Sequence, residues 1–374
     1  MFTSKSIFSI LKQIIINISI FILLIIFLAF LSITISYLYY SFIKKEPTFG
    51  KDFIAFENKN WLIKYFQEVE KVKNLVYYDS YVAWKRLPFK GELINITEEG
   101  IRKTPQHHNL KEDAKTVYFL VGSTMWGLGS SDKQTIPAYF SKYSKGNFKT
   151  VNLAEPGYSS FQEYITLSIK LAKGGTPDLV IMYDGVNQAI TLVKGFNQFS
   201  HFEEKSIKSA LEIKKIQDLK NITYSNYFYS IINPISKLLE KIIKKNKEPL
   251  FDLNEQRVYE SAIETIESWA MAKQIANSKG SKFIAILQPV SAIGKPKIDH
   301  LNLDENLIET YKLLYTEIKK LLKTEKYKDI SKSVYDLSNI FNIDKYLYYD
   351  YCHTSHEGNK IVAKKIIEIV DKLK

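Results

Sequence analysis

The chain has 374 residues, of which 45% are hydrophobic and 25% are charged, and its formal net charge is +12. These values, together with 25 tyrosines and 22 phenylalanines, exclude a disordered or low-complexity chain and allow one large domain or two smaller ones. The single cysteine, Cys352, excludes an internal disulfide, a zinc ribbon and a CxxC redox pair. Of the 52 basic residues 49 are scattered lysines, a pattern that does not favour nucleic-acid binding.

The first predicted element is a membrane-spanning helix. Residues 13–43 form a run of 31 residues without a charged side chain, whereas about 20 suffice to cross a bilayer. Tyr37, Tyr39 and Tyr40 at its distal end suit the headgroup region. The run is longer than the apolar region of a signal peptide, and no A-x-A cleavage site follows. We therefore predict an uncleaved membrane anchor over residues 1–45.

The rest of the chain alternates between apolar runs and helical patterns. Short continuous apolar runs are typical of buried parallel strands, so we predict an α/β fold of three layers, α/β/α, with a mostly parallel sheet. The predicted strands cover 116–121, 148–154, 178–183, 282–290 and 333–338. The predicted helices cover 134–145, 160–173, 256–279, 305–323 and 357–373.

Residues 195–255 interrupt this alternation. They are rich in lysine and contain long polar and aromatic stretches, and we predict a helical insertion between the third and fourth strands. Two interpretations stay open for this insertion. It is either a lid or membrane-proximal face, or a solvated connector.

The residues best suited to chemistry begin with a carboxylate and an imidazole near the C-terminus. Asp350 and His353 are three residues apart, directly before the last predicted helix, and this spacing lets the carboxylate orient the imidazole. A matching nucleophile is Ser123, which follows the 116–121 strand at the carboxyl edge of the predicted sheet. Ser123 is also predicted to begin a helix, where free backbone N–H groups favour an oxyanion.

The next two strands end in groups that can donate hydrogen bonds to an oxyanion. Gly157 follows the second strand, and a glycine lets its backbone N–H approach a substrate closely. Asn187 follows the third strand and offers a side-chain amide. Each feature alone more often has a structural role than a catalytic one, since Gly-Ser turns and asparagine helix caps are common. The ordered set along one sheet edge is what predicts a catalytic site.

This set resembles the SGNH (GDSL-type) hydrolase superfamily over about residues 78–374, with the insertion unmatched. The matching blocks are Gly122-Ser123-Thr124 followed by Trp126-Gly127, then Gly157, then Gly185 with Asn187, and finally Asp350-x-x-His353. The stretch 81–104, with Trp84, Gly100 and Arg102, resembles the lead-in of membrane-anchored members. The sequence departs from the pattern at Gly122, where Asp is common, at Val121, where Gly is common, and at Gln188, where Asp often stands.

The resemblance implies a flavodoxin-like SGNH domain over 111–374, with residues 46–110 as a lead-in segment packed on it. It implies a serine esterase in which Ser123 is the nucleophile, His353 the general base and Asp350 the group that orients it. The oxyanion hole would consist of Ser123, Gly157 and Asn187. No metal and no cofactor are expected.

The implied substrate is an oxygen ester, with O-acetyl on an envelope or surface glycan as the favoured case. The expected topology has the N-terminus in the cytoplasm and the catalytic domain outside, and the expected contact with the bilayer is through the N-terminal helix. Two alternatives stay open. One is an O-acyltransferase that uses the same triad to modify a surface polysaccharide, and the other is a non-catalytic anchored scaffold. The oligomeric state is not indicated by the sequence.

Overall fold

A computed structural model describes residues 4–43, 51–56, 59–196, 198–211 and 253–373. The chain divides into two compact units. The first comprises Met1–Thr48 and Ala210–Pro249, and the second comprises Phe49–Ser209 and Leu250–Lys374. Residues 204–211 are helical, but most of the predicted insertion, residues 197 and 212–252, lies outside the described residues.

In the first unit the long helix α1 covers Ser4–Ile43. Its apolar stretch, Lys12–Tyr37, has 26 residues, and none of its most apolar window is buried. A helix rises about 1.5 Å per residue, so this stretch is long enough to cross the roughly 30 Å hydrocarbon core of a bilayer. A membrane anchor and a signal sequence both satisfy this description.

The strands that the structure describes all lie in the second unit. They are β1 (Val76–Asp79), β2 (Ala83–Arg86), β3 (Phe89–Lys90), β4 (Asn95–Ile96), β5 (Lys115–Leu120), β6 (Phe148–Asn152), β7 (Leu179–Asp184), β8 (Lys282–Leu287) and β9 (Val334–Asp336). Its helices are α2 (Lys59–Lys73), α3 (Ser123–Trp126), α4 (Ile136–Tyr143), α5 (Ser160–Ala172), α6 (Val186–Val193), α7 (Glu255–Asn277), α8 (Glu305–Leu321), α9 (Lys328–Ser331) and α10 (His356–Asp371).

Five of these strands form a parallel sheet in the order β6-β5-β7-β8-β9. Val117 of β5 is opposite Thr150 of β6 on one side and Leu179 of β7 on the other. The chain thus moves to one side of β5 and then to the other, which creates a switch point at its carboxyl end. This order is that of a flavodoxin-like sheet, and the predicted fold class is confirmed.

Alternate residues of each strand point to opposite faces, and each face carries its own apolar core. Phe119, Ile181 and Ile286 pack on one side with α4 and α10. Leu120, Met182 and Leu287 pack on the other side with α5, α7 and α8. The result is the predicted three-layer arrangement, with the strand ends left free at the edge of the sheet.

Helix α2 was not predicted, although its apolar pattern is visible in the sequence. Leu62, Tyr65 and Val72 are fully buried and lie on one helical face at spacings of three and seven residues. The antiparallel hairpins β1–β2 and β3–β4 follow it. The sequence predicted only a lead-in segment here, because the apolar residues of α2 are interleaved with lysine and glutamate.

Candidate active site

The site is centred on an imidazole that contacts both a hydroxyl and a carboxylate. His353 Nε2 lies 2.6 Å from Ser123 Oγ, and His353 Nδ1 lies 2.6 Å from Asp350 Oδ2. If Nδ1–H donates to the carboxylate, Nε2 is left as the acceptor for the serine hydroxyl. The structure therefore brings together the three side chains that the sequence analysis singled out.

Ser123 is placed by the turn that follows β5. The strand ends at Leu120, Gly122 caps the short helix α3, and Ser123 is the first residue of that helix. The backbone N–H groups of a first helical turn have no acceptor within the helix, so the Ser123 N–H is available to a ligand. This turn lies at the carboxyl end of the parallel strands, where open α/β sheets bind ligands.

The loop before α10 positions His353 through its own backbone. Asp350 Oδ1 accepts the N–H groups of Cys352 at 2.9 Å and of His353 at 2.7 Å, while its other oxygen binds the imidazole. Burial opposes ionisation of Asp350, but the charge and hydrogen bond of His353 and these two N–H groups outweigh it and lower its pKa. The His353 ring also stacks on the ring of Tyr349, with centroids 5.7 Å apart. The carboxylate is therefore charged and fixed in place.

Asn187 lies beside the nucleophile turn, in the first turn of α6. The helix is capped by Gly185, whose φ of 121° requires a glycine. Asn187 Nδ2 donates to Tyr158 O at 2.6 Å. A Cβ added at Gly122 would lie only 2.2 Å from the same Nδ2, so the amide occupies the space beside Gly122. A side chain at position 122 would therefore have to displace this amide.

Gly157 lies in the loop between β6 and α5, next to Tyr158. Its φ is +87°, which again favours glycine, and Phe202 and Trp84 lie within 3.3 Å of where a Cβ would be. Within the part of the chain that the structure describes, its N–H donates to no acceptor. The hydroxyl of Tyr158 donates to Trp84 O, which ties this loop to β2.

A buried arginine holds the far end of α3. Arg102 is 1% exposed, and its guanidinium donates to the backbone oxygens of Trp126, Gly127 and Ser130 at 2.6–2.9 Å. It also forms an ion pair with Asp132 at 3.0 Å, a partner that sequence reasoning missed. Five donors in a rigid fork suit such a set of carbonyls, whereas lysine could not reach them all.

A group of buried carboxyls behind the site was also missed. Asp184 ends β7, Glu163 lies on α5 and Glu264 lies on α7, and all three are nearly inaccessible to solvent. Burial raises the pKa of Glu163 and of Asp184, and the charge of Asp184 raises the pKa of Glu163 further. Trp269 Nε1 donates to Asp184 at 2.6 Å, and burial raises the pKa of Glu264 to about 7. Sequence alone gave no signal, because these acids come from three separate elements.

One set of side chains among the described residues has metal-ligand spacing. The ligand atoms of Asp350, Cys352 and His353 lie within 4.8 Å of one another. However, the carboxylate and imidazole are already bonded to each other, and burial raises the pKa of the Cys352 thiol well above its ordinary value. A metal there would have to break the bond that orients the imidazole. The expected absence of a cofactor stays a prediction.

The comparisons with known proteins yield structural neighbours. No family model and no curated protein matches the sequence. Among solved structures, the chain is similar to a carbohydrate acetylesterase from Sinorhizobium meliloti, at 14% identity and a TM-score of 0.40, over 70% of this chain and 100% of that one. It is also similar to a putative arylesterase from Agrobacterium tumefaciens, at 12% identity and a TM-score of 0.40, over 70% of this chain and 100% of that one.

A further neighbour is a putative lipolytic protein of the G-D-S-L family from Desulfitobacterium hafniense. Its identity is 12% and its TM-score 0.38, over 67% of this chain and 97% of that one. By their descriptions, one of these three neighbours belongs to the G-D-S-L family, and the other two are an acetylesterase and a putative arylesterase. At such identities and TM-scores, the fold assignment rests on the strand order and register of the sheet itself.

Proposed function

We propose that this chain is a membrane-anchored serine esterase of SGNH type that hydrolyses an oxygen ester through an acyl-enzyme. The observation that supports the proposal most is the imidazole of His353, held 2.6 Å from both the Ser123 hydroxyl and the Asp350 carboxylate. A nucleophile, a base and an orienting group in this order form the arrangement that activates a serine in acyl transfer.

The proposed reaction has two halves. Ser123 Oγ attacks the ester carbonyl while His353 Nε2 takes the hydroxyl proton. The tetrahedral intermediate then expels the alcohol, which leaves with that proton, and the acyl group stays on Ser123. A water molecule repeats the sequence, with His353 again accepting and returning the proton, and releases the carboxylic acid. Asp350 stays ionised throughout and stabilises the imidazolium.

The oxyanion of the intermediate is bound, in this proposal, by the N–H groups of Ser123 and Gly157 and by the amide of Asn187. A carboxamide carries two N–H bonds, so Asn187 can keep its bond to Tyr158 O and still donate the second to the substrate. Donors that are fixed before the reaction stabilise the developing charge, and each one is worth about 3–4 kcal/mol of barrier.

The proposed substrate is an O-acetyl ester on an envelope or surface glycan. In this proposal α1, whose apolar stretch is long enough to cross a bilayer, is the anchor. The N-terminus then lies in the cytoplasm and the second unit on the outer side. This placement gives the enzyme a fixed, local supply of polymeric ester rather than a diffusing metabolite. A reporter fused to the C-terminus tests the orientation, since activity of the reporter in the cytoplasm contradicts it.

The central test uses the full chain in detergent. We expect a fluorophosphonate probe to label the wild type and the Ser123→Ala variant to stay unlabelled. We also expect p-nitrophenyl acetate hydrolysis that is lost in the same variant. A folded wild-type protein that neither reacts with the probe nor releases acetate would favour the scaffold alternative.

A second assay separates hydrolysis from transfer. The wild type is supplied with an acetyl ester and with unacetylated polysaccharide, and the products are quantified as free acetate and as polysaccharide acetate. We expect acetate to dominate. Transfer that exceeds hydrolysis would identify the O-acyltransferase alternative instead, without changing the residues of the triad.

A further inference from the structure

The segment that follows β8 was not assigned any part in the site, yet it contacts each of the three site segments. Gln288 Oε1 accepts the hydroxyl of Thr124 at 2.8 Å, one residue after Ser123. The Gln288 N–H donates to Asp184 O at 3.0 Å, just before the turn that carries Asn187. Three residues on, Ser291 donates through both its N–H and its hydroxyl to Tyr351 O, in the loop of His353.

Gln288 is itself fixed. It is 2% exposed, and its backbone oxygen accepts the hydroxyl of the buried Tyr315 at 2.8 Å. A Cβ added at Gly185 would lie 2.5 Å from the same hydroxyl, so Tyr315 fills the space between Gln288 and the cap of α6. The backbone of Gln288 is therefore fixed at both its N–H and its oxygen, and its side-chain carboxamide can bind a different group.

Thr124, which the carboxamide binds, lies in a helix that needs support from outside. Helix α3 has only four residues, and so short a helix is not stable by itself. Arg102 binds the carbonyls at the end of α3, and the N–H groups of Gly127 and Leu128 donate to Ser123 O. The bond between Thr124 and Gln288 adds a side-chain contact at the residue that follows Ser123.

We propose that Gln288 is a positioning residue, whose carboxamide holds Thr124 and thereby sets the direction of the Ser123 hydroxyl toward His353. The inference rests on the proposed function. It extends the site to the fourth strand end of the sheet. Since small displacements of a nucleophile lower the rate of acyl transfer far more than they affect substrate binding, loss of this bond acts mainly on kcat.

The test uses full-length variants that keep the volume of each side chain. Thr124→Val and Gln288→Met remove the bond, and Thr124→Ser keeps the hydroxyl. We expect the first two to lower kcat and the rate of fluorophosphonate labelling about tenfold, with KM changed less than about twofold. Thr124→Ser should stay within about threefold of the wild type. Thermal unfolding of each variant verifies that it is folded.

The double variant decides whether the two residues act through one bond. If they do, Thr124→Val with Gln288→Met is no slower than the slower single variant, whereas independent effects multiply to about a hundredfold. Single variants at the wild-type rate, multiplied effects, or a Thr124→Ser variant as slow as Thr124→Val would overturn the inference. A wild type that is itself inert would instead overturn the proposed function, and this inference with it.

Discussion

His353 Nε2 lies 2.6 Å from Ser123 Oγ, although 230 residues separate the two in the chain. The contact joins the carboxyl end of β5 to the loop before α10. It is possible only because both lie at the same edge of the parallel sheet.

Removing the imidazole is expected to abolish catalysis without unfolding the protein. We predict that His353→Ala lowers kcat by about 10⁴-fold or more, and that Asp350→Asn lowers it by about 10⁴-fold, because the base is lost or misoriented. Steady-state hydrolysis of an acetyl ester measures both. His356, which begins α10 and contacts Glu357 at 3.2 Å, provides the matched control. His356→Ala should keep its rate within about threefold, and an equal loss there would contradict the assignment.

Asn187 is expected to matter in the transition state rather than in substrate binding. We predict that Asn187→Ala lowers kcat about 10²- to 10³-fold with little change in KM. Asn187→Asp should be equally poor, because it replaces the donor to Tyr158 O with an acceptor. Comparison of kcat with KM for the two variants checks this. A variant that mainly raises KM would show that the amide binds substrate in its ground state instead.

Gly122 is expected to act through the same amide. A methyl group at this position would lie 2.2 Å from Asn187 Nδ2, and a side-chain terminus can move away at little cost in stability. We therefore predict that Gly122→Ala lowers kcat about 10- to 100-fold while the thermal midpoint changes little. The pair Gly122→Ala with Asn187→Ala should be no slower than Asn187→Ala alone. Multiplied losses in this pair would argue that Gly122 acts independently of the amide.

Arg102 is expected to be the most costly charged residue to remove. Deleting its side chain leaves the buried Asp132 without its cationic partner, with only the hydrogen bonds from Asn95, and removes one donor from each of three backbone oxygens. We predict that Arg102→Met lowers the free energy of unfolding by about 3–5 kcal/mol. Lys170→Ala, which removes the exposed ion pair to Glu99, should cost less than about 1 kcal/mol. Denaturant unfolding of the full chain measures both, and equal costs would contradict the role of burial.

The buried carboxyls predict a loss of stability with rising pH. Burial raises the pKa of Glu264 to about 7, above the value of about 4 in an unfolded chain. Between these two pKa values, Glu264 holds its proton in the folded protein but loses it in the unfolded chain. Protonated Glu264 therefore contributes its full stabilisation below pH 4, and this contribution is lost as the pH rises through 7.

The variant Glu264→Gln cannot ionise and still accepts the N–H of Phe199, which Glu264 Oε2 binds at 2.7 Å. Between pH 5 and 7 we expect the wild type to lose up to about 1.4 kcal/mol per pH unit relative to this variant. Unfolding free energies at several pH values measure the difference. The exposed Glu309→Gln serves as the control. A wild type and Glu264→Gln variant with parallel pH profiles would show that Glu264 does not ionise in this range.

The order of strands and helices could be predicted from the sequence, because buried strands and amphipathic helices leave periodic apolar patterns. Strand β5 lies within one residue of its apolar run, whereas β6 ends two residues early, at Asn152, and β8 ends three residues early, at Leu287. The sequence also shows which residue types follow the predicted strands. Helix α2 left the same kind of pattern but was not recognised.

Only the tertiary structure decided which groups meet at those ends. Three contacts leave no local pattern, because each joins segments that are distant in the chain. They are the contacts of Gln288 with Thr124, of Asn187 with Tyr158, and of Arg102 with the carbonyls at the end of α3. Periodicity reports whether a side chain faces the core, since burial is repeated along an element. It does not report which partner a buried polar group finds, since that depends on how the elements pack.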